Sequence, residues 1–249
     1  MQAVILCGGL GTRMGGRVKS LIPVRGRPFI EWQLERLSDA GFDEFIFCTT
    51  SSGGASEIAY HLGKSGWRAK TSAAFSNQSE PDGTAGALRA ALAKAYLAEE
   101  FLVTYGDSFI DYRYGFAALA LAQAAISKLG AVMTVCENPR FARGNVKLSI
   151  DLKFVRDVIK DEKVWSTDYR FVDYGAIAMR RDALEYTNFF HRDMNAELGA
   201  WARTPTTDPR GKDGGFVRAV VVPEYFHEIG SPEGLSNLEA HLGRKDAIT

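Results

Sequence analysis

Three cations and a run of glycines crowd together near the start of the chain, in Cys7-Gly8-Gly9-Leu10-Gly11-Thr12-Arg13-Met14-Gly15-Gly16-Arg17-Val18-Lys19. Glycines that follow a buried apolar run let backbone N–H groups approach a phosphate closely, and the cations supply local positive charge. Two familiar phosphate loops do not fit. A dinucleotide fingerprint would continue Gly9-Leu10-Gly11 with a small residue where Met14 stands, and would end the second strand on an acid where Thr49 and Thr50 stand. A Walker A loop would place lysine and a hydroxyl residue directly after Gly16, and the chain supplies Arg17-Val18. Further along, Asp107 follows Gly106 at the end of an apolar run, where a carboxylate can reach a hard cation or cap a loop.

These residues need elements to position them. Ala3–Cys7 is a short apolar run that breaks into glycines, and Phe45–Cys48, Phe101–Tyr105 and Ala131–Val135 read as further buried strands. Helical spacing marks Pro28–Ala40, Ala55–Leu62, Thr84–Leu97 and Tyr114–Leu129, with Pro28 suited to a first helical turn. Such alternation implies a mostly parallel sheet covered by helices on both faces, with ligands at the carboxyl ends of the strands. The glycine loop and Gly106-Asp107 both fall there. After Cys136 the pattern changes: Asn145–Ile150 and Phe154–Ile159 form an expected hairpin, Tyr174–Met179 and Val217–Val222 further strands, and Pro232–Leu242 a closing helix.

Composition narrows the function classes. The 249 residues carry 30 Lys+Arg against 30 Asp+Glu, so no broad basic surface awaits a nucleic acid or an anionic membrane. Cys7, Cys48 and Cys136 lie far apart in apolar runs, which reads as three buried reduced thiols and neither a disulfide framework nor a zinc cluster. The N-terminus has no signal-peptide pattern and the apolar stretch from Phe116 to Val135 is broken by polar residues, so the expected location is cytoplasmic.

The remaining pattern, GGLGTRM…VKSLIPV, resembles the opening GGxGTR(L/M)…KPxxPV of the sugar-1-phosphate nucleotidyltransferases. The likeness recurs in order. Glu80 to Leu88 (EPDGTAGAL) is similar to the family's base-binding stretch, and Tyr105-Gly106-Asp107 to its metal site. Asp161-Glu162-Lys163 matches loosely, Val172-Asp173-Tyr174-Gly175 sits at a sugar-facing turn, and Glu228 to Glu233 (EIGSPE) resembles the last motif. Two departures stand out: Val18-Lys19-Ser20 replaces proline–lysine–proline, and Glu228 replaces an aspartate. The spacing looks closest to the heptose- or mannose-1-phosphate guanylyltransferase branch.

The resemblance implies a three-layer α/β/α Rossmann-like fold, α/β with a mostly parallel sheet of the nucleotide-diphospho-sugar transferase type and a small β-rich sugar-binding part. It implies one domain over 1–249, with residues 1–135 holding the nucleotide and 136–249 the sugar. The reaction would be attack of a sugar 1-phosphate on the α-phosphorus of an NTP, with Mg²⁺ as cofactor and catalysis by positioning and electrostatics. Arg13, Lys19 and Asp107 are the implied catalytic residues, and Asp107 and Glu228 the metal ligands. Nucleotide binding falls to Leu6, Gly8, Gly9, Gly11, Thr12, Arg13, Gln78, Glu80, Gly83 and Thr84. Lys147, Lys163, Asp173, Tyr174 and Gly175 are assigned to the sugar phosphate. Glu80 suits guanine and Gln78 suits uracil or thymine, so the base stays open with a lean to GTP. The partners are then an NTP and a sugar 1-phosphate, with no nucleic acid, no membrane, and room for a homodimer. A phosphoalcohol cytidylyltransferase and a silent NDP-sugar sensor are the alternative readings.

Overall fold

The computed structural model describes residues 1–9, 15–50, 54–67, 72–78, 82–124, 130–137, 144–159, 168–186, 191–203, 217–224 and 226–246. Its central sheet forms where short apolar runs meet in parallel. β1 (Gln2–Leu6) lies between β4 (Glu44–Thr50) and β6 (Glu100–Tyr105), both parallel to it, and β4 pairs in parallel with β5 (Ser72–Gln78) at the edge. Strand alternation sends successive side chains to opposite faces, and β1 shows the result. Val4 and Leu6 join one core, and Ala3, Ile5 and Cys7 the other.

Helices cover both faces, as the strand–helix alternation implied. On one side α3 (Gly83–Ala93) and α6 (Met194–Arg203) bring Ala85, Leu88, Met194, Leu198 and Trp201 to the sheet. On the other, α1 (Phe29–Asp39), α2 (Ala55–Lys64) and α4 (Tyr112–Ala124) bring Ile30, Leu34, Ile58, Leu62 and Leu119. The apolar residues of α1 recur at helical spacing, and Phe29, Ile30, Leu34 and Leu37 are all buried. Pro28 sits at the cap position just before this helix.

The second half departs from simple winding. β11 (Phe171–Arg180) runs antiparallel beside β6 and also beside β8 (Ala131–Glu137), and β12 (Val217–Val222) pairs in parallel with β8. The sheet is therefore mixed, parallel around β1 and antiparallel at β11. Apolar runs carry no information about strand direction, so an alternation count cannot see this insertion. β9 (Val146–Leu148) and β10 (Val155–Val158) form the expected hairpin and extend the sheet beyond Phe171. Strand β5 was not read from the sequence: apart from Phe75, SAAFSNQ is small and polar, and among the described residues it pairs only along β4.

Two short ribbons complete the fold, β2 (Pro23–Val24) with β3 (Arg27–Pro28), and β7 (Ser108–Phe109) with β13 (His227–Glu228). The last helix, α7 (Pro232–Asp246), packs Leu238 and Leu242 with Ile22, Val24, Phe29, Phe109 and Ile229 in a separate small core. That core fixes the β7–β13 ribbon against the carboxyl end of β6. A short α5 (Arg181–Tyr186) follows β11. The three cysteines are buried and free. Among the described residues no helix is long and apolar enough to cross a membrane.

Candidate functional site

The register of β1 against β6 determines where the site lies. Leu6 pairs with Tyr105, so the residues that leave both strands emerge side by side. The Cys7 N–H donates to the Cys48 carbonyl at 2.8 Å and the Gly106 N–H to the Leu6 carbonyl at 3.0 Å, extending the ladder one residue past each strand. A Cβ at Gly106 would lie 2.8 Å from Cys7 Sγ and 3.1 Å from the Leu6 carbonyl oxygen, which is why only glycine fits before Asp107.

The chain returns to this point in a 3₁₀ turn, Lys19–Leu21. Ser20 Oγ donates to the Gly106 carbonyl at 3.2 Å and anchors the turn. Lys19 Nζ then reaches Asp107 Oδ2 at 2.8 Å, with about a quarter of each side chain exposed. Beside them opens a cavity of about 330 Å³, lined by Leu6, Gly8, Gly9, Thr84, Tyr105 and Asp107 among others. That volume suits a small organic ligand.

The β7–β13 ribbon closes one side. Glu228 pairs in register with Ser108, and the Ile229 N–H donates to the Asp107 carbonyl at 3.0 Å. A Cβ on Gly230 would stand 3.5 Å from Asp107 Oδ2 and 3.8 Å from Lys19 Nζ, so this turn passes directly over the ion pair. The ribbon thus brings exposed Glu228 and half-buried Asp107 to one neighbourhood. Among the described residues no three His, Cys, Asp or Glu side chains form a metal cage. Two carboxylates are nevertheless a suitable donor set for a hard cation that keeps several waters and takes phosphate oxygens.

On the other wall, the turn into α3 carries Asp82, Gly83 and Thr84. Gly83 has φ +71°, and a Cβ there would meet the Arg192 carbonyl oxygen at 2.1 Å. Thr84 Oγ1 accepts from the Met194 N–H at 2.9 Å, and Ala85 N–H donates to the Arg192 carbonyl at 3.0 Å. Asp82 accepts from Arg89 at 2.6 Å and from Arg192 at 2.8 Å, and the Arg89 guanidinium holds its carboxyl below the usual range.

At the third side, Tyr105 donates its phenol hydrogen to Asp173 Oδ2 at 2.7 Å, while Asp173 Oδ1 accepts the Gly175 N–H at 2.9 Å. Burial pushes the Asp173 carboxyl up to about 6, against the downward pull of those two bonds. Gly175 packs toward Ser108 and Tyr105. Cys7, also in the cavity wall, is pushed up to about 12 by burial and is no nucleophile.

The structure therefore brings together Leu6, Gly8, Gly9, Lys19, Gly83, Thr84 and Asp107 at one cavity, with Glu228, Asp173 and Gly175 around it. Tyr174 is a correction. It is 1% exposed, its hydroxyl accepts the Asp111 N–H at 3.0 Å, and its ring meets Tyr114 and Phe226 edge-on. Asp173 and Tyr174 are neighbours on a strand and so cannot share a face. Lys147 lies on β9, where it pairs with Asp168 at 2.7 Å at the surface. Gln78 ends β5 opposite Thr50. Gly11, Thr12, Arg13, Glu80 and Lys163 lie outside the described residues. Sequence reasoning did not select Ser20, Asp82, Tyr105, Arg192 or Gly230. All but Arg192 stand inside the quoted motifs, whereas Arg192 carries no local signal.

Comparison with known proteins speaks to the family and the fold. The profile of the MobA-like NTP transferase domain matches residues 3–202. A D-glycero-alpha-D-manno-heptose 1-phosphate guanylyltransferase of Campylobacter jejuni is 33% identical over 115 residues, 45% of this chain and 49% of that protein. A molybdenum cofactor guanylyltransferase of Ectopseudomonas mendocina is 45% identical over 47 residues, 19% of this chain and 23% of its own. The chain thus matches about half or less of the length of these relatives. Among solved structures, HddC from Yersinia pseudotuberculosis complexed with GMP-PN superposes with a TM-score of 0.72 at 22% identity, covering 97% of this chain and 99% of that one. The inositol-1-phosphate CTP transferase of T. maritima gives 0.73 at 16% identity, covering 96% and 93%. At these identities the structures speak for the fold. The match over residues 3–202 carries the assignment: the chain belongs to the MobA-like NTP transferase domain family of nucleotidyltransferases.

Proposed function

We propose that the protein transfers a nucleotidyl group from an NTP to a sugar 1-phosphate, with GTP and D-glycero-D-manno-heptose 1-phosphate or mannose 1-phosphate as the preferred pair. The product would be a nucleotide sugar for surface polysaccharide. The observation that carries the reading is the Lys19–Asp107 ion pair at 2.8 Å, in the wall of a glycine-lined cavity where β1 and β6 end. The guanylyltransferase name of the C. jejuni relative and the GMP-PN bound by the Yersinia protein support the finer choice of base and sugar.

In this reading an oxygen of the sugar phosphate attacks the α-phosphorus, the bond from that phosphorus to the bridging oxygen breaks, and pyrophosphate leaves with the electron pair. The nucleophile is already an anion, so no side chain needs to remove a proton. What opposes the reaction is the mutual repulsion of two polyanions, and preorganised cations and N–H groups oppose that repulsion best. Gly8 and Gly9 offer backbone N–H groups, Lys19 offers a point charge between the phosphates, and Arg13 extends the same loop. Mg²⁺ held by Asp107 and Glu228 would neutralise charge on the phosphates and the leaving pyrophosphate. In this reading residues 1–135 would supply the nucleotide half of the site and 136–249 the sugar half, where Asp173 and Gly175 lie against Tyr105.

The test is a pyrophosphate-release screen crossing the nucleoside triphosphates with hexose-, heptose- and amino-sugar 1-phosphates. Release that is strongest with GTP and heptose or mannose 1-phosphate is the expected result. A different preferred pair overturns the finer assignment, and silence across the whole grid overturns the transfer reading.

A further inference from the structure

Lys19 carries its charge at the end of a flexible four-carbon stem, and the transfer reading asks it to hold one place between phosphates. The ion pair with Asp107 cannot be what fixes it there. In that reading Asp107 is a ligand of the cation, so its carboxylate is engaged elsewhere when substrate is bound. The anchor must then lie in the chain on either side of the lysine. Val18 and Ser20 stand there, where the resembled pattern has prolines. A proline stiffens the chain through its own ring, whereas these two residues are stiff only through what they touch.

Ser20 touches the strand end that carries Asp107. It is 2% exposed, and its hydroxyl donates to the Gly106 carbonyl at 3.2 Å. The residue after Lys19 is thereby bonded to the residue before Asp107. Val18 is held from the other side. A Cβ on Gly54 would stand 2.6 Å from Val18 Cγ1 and closer still to Cγ2, so the valine branches lie directly on the glycine backbone. Gly54 is a firm seat because it caps α2. Its carbonyl accepts the Ile58 N–H at 2.9 Å, and Ile58 and Leu62 anchor that helix in the core. Between the two contacts the turn closes on itself. The Leu21 N–H donates to the Val18 carbonyl and the Ile22 N–H to the Lys19 carbonyl, both at 3.0 Å. The lysine backbone is therefore clamped between the end of β6 and the start of α2.

We propose that Val18, seated on Gly54, and Ser20, bonded to Gly106, are the positioning residues of Lys19, holding its ammonium between the phosphates whether or not Asp107 is engaged. The inference rests on the transfer reading above. Loosening either side lets the lysine backbone shift, and a misplacement on the order of 1 Å in a reacting site costs up to about 100-fold in rate. The glycine backbone shares the binding of the NTP, so the loss falls on turnover and not on NTP affinity.

The experiment is a set of double-mutant cycles read by pyrophosphate release, with the NTP and sugar 1-phosphate that give the fastest turnover. Val18→Ala removes both branches and Ser20→Ala removes the hydroxyl. Each should lower kcat by about 5- to 10-fold, and the two together by about 30-fold, with the KM for the NTP held within about twofold. Val18→Ile keeps both branches and should keep kcat within about twofold. In a Lys19→Ala background, Val18→Ala and Ser20→Ala should each change the residual rate by less than about twofold, because a residue that acts only through the lysine has nothing left to act on. Thermal melts establish that each variant is folded, and the single cycles decide the matter where the combined variant is not. Equal losses with and without Lys19 overturn the proposal, since they mark a general loosening or, for Ser20, a direct contact with substrate. Undiminished kcat in the folded Val18→Ala and Ser20→Ala variants overturns it too. Either result, with the unaltered protein active, removes only the clamp. Absence of turnover with every NTP and sugar phosphate removes the transfer reading and this inference with it.

Discussion

Arg192 donates from Nε to Asp82 Oδ1 at 2.8 Å across 110 residues of chain, and so ties the turn that opens α3 to the segment that opens α6. Arg89 closes the arrangement from within α3, donating to Asp82 Oδ2 at 2.6 Å and to the His191 carbonyl at 2.9 Å. The backbone bonds from Ala85 and Met194 run across the same seam. Asp82 lines the cavity, so this contact between the two halves is also part of the wall that would face a nucleotide.

That placement separates binding from stability. Exposed ion pairs contribute at most about 1 kcal/mol, and the Arg192 side chain is 72% exposed. Arg192→Ala should therefore leave the melting temperature nearly unchanged. It should raise the KM for the NTP by about fivefold through a loosened 82–84 turn, with the KM for the sugar phosphate little altered. Steady-state kinetics with each substrate varied in turn checks this. A change confined to the sugar phosphate would show that the seam does not position the nucleotide wall.

Lys19 and Asp107 give a sharper outcome. Each keeps about a quarter of its side chain in solvent, and neither belongs to an apolar core. Lys19→Ala and Asp107→Asn should each lower turnover by at least about 100-fold, the scale of one lost electrostatic contact to a transferring group. Thermal melts should move by only a few degrees. Pyrophosphate release by the purified variants is the measurement, and near-normal turnover in both would remove the pair from the site.

Gly106 tests the packing beneath that pair. An alanine Cβ would press on Cys7 Sγ and on the Leu6 carbonyl, and both are held by the sheet. Gly106→Ala should cost about 1–3 kcal/mol by overpacking and should displace Asp107 enough to reduce turnover as well. A urea unfolding midpoint together with the pyrophosphate assay distinguishes this from a surface change, for which the midpoint would not move.

Much of the site was legible because its residues sit where apolar runs end. The Ala3–Cys7 run and the Phe101–Tyr105 run are unambiguous, and parallel pairing then brings Gly8 and Gly9 to the same cavity as Asp107. Glu228 arrives through a two-residue ribbon whose only sequence trace is the EIGSPE pattern, and Gly230 comes with it. The sheet's reversal at β11 left no trace, because Phe171–Arg180 reads the same in either direction. Arg192 was invisible for a related reason: an arginine that reaches 110 residues back carries no local periodicity. The burial of Tyr174 in the core follows from the strand itself. The two-residue period of a strand already says that Asp173 and Tyr174 face opposite ways.

Asp173 carries the last prediction, in its dependence on pH. Burial raises its carboxyl from an ordinary value of 3.8 to about 6, so the folded protein binds a proton more readily than the unfolded chain. Stability must then fall as pH rises from about 4 to about 6 and stay level above that, since the charged form is the one that burial penalises. Asp173→Asn removes the titration. Its stability relative to the unaltered protein should improve by about 1–2 kcal/mol between pH 4 and pH 6.5, a range set below the full shift because the side chain keeps some contact with water. Chemical denaturation of both proteins at a series of pH values reads this difference directly. A difference that stays constant across the series would show that the carboxyl titrates in the folded protein as it does in the unfolded chain.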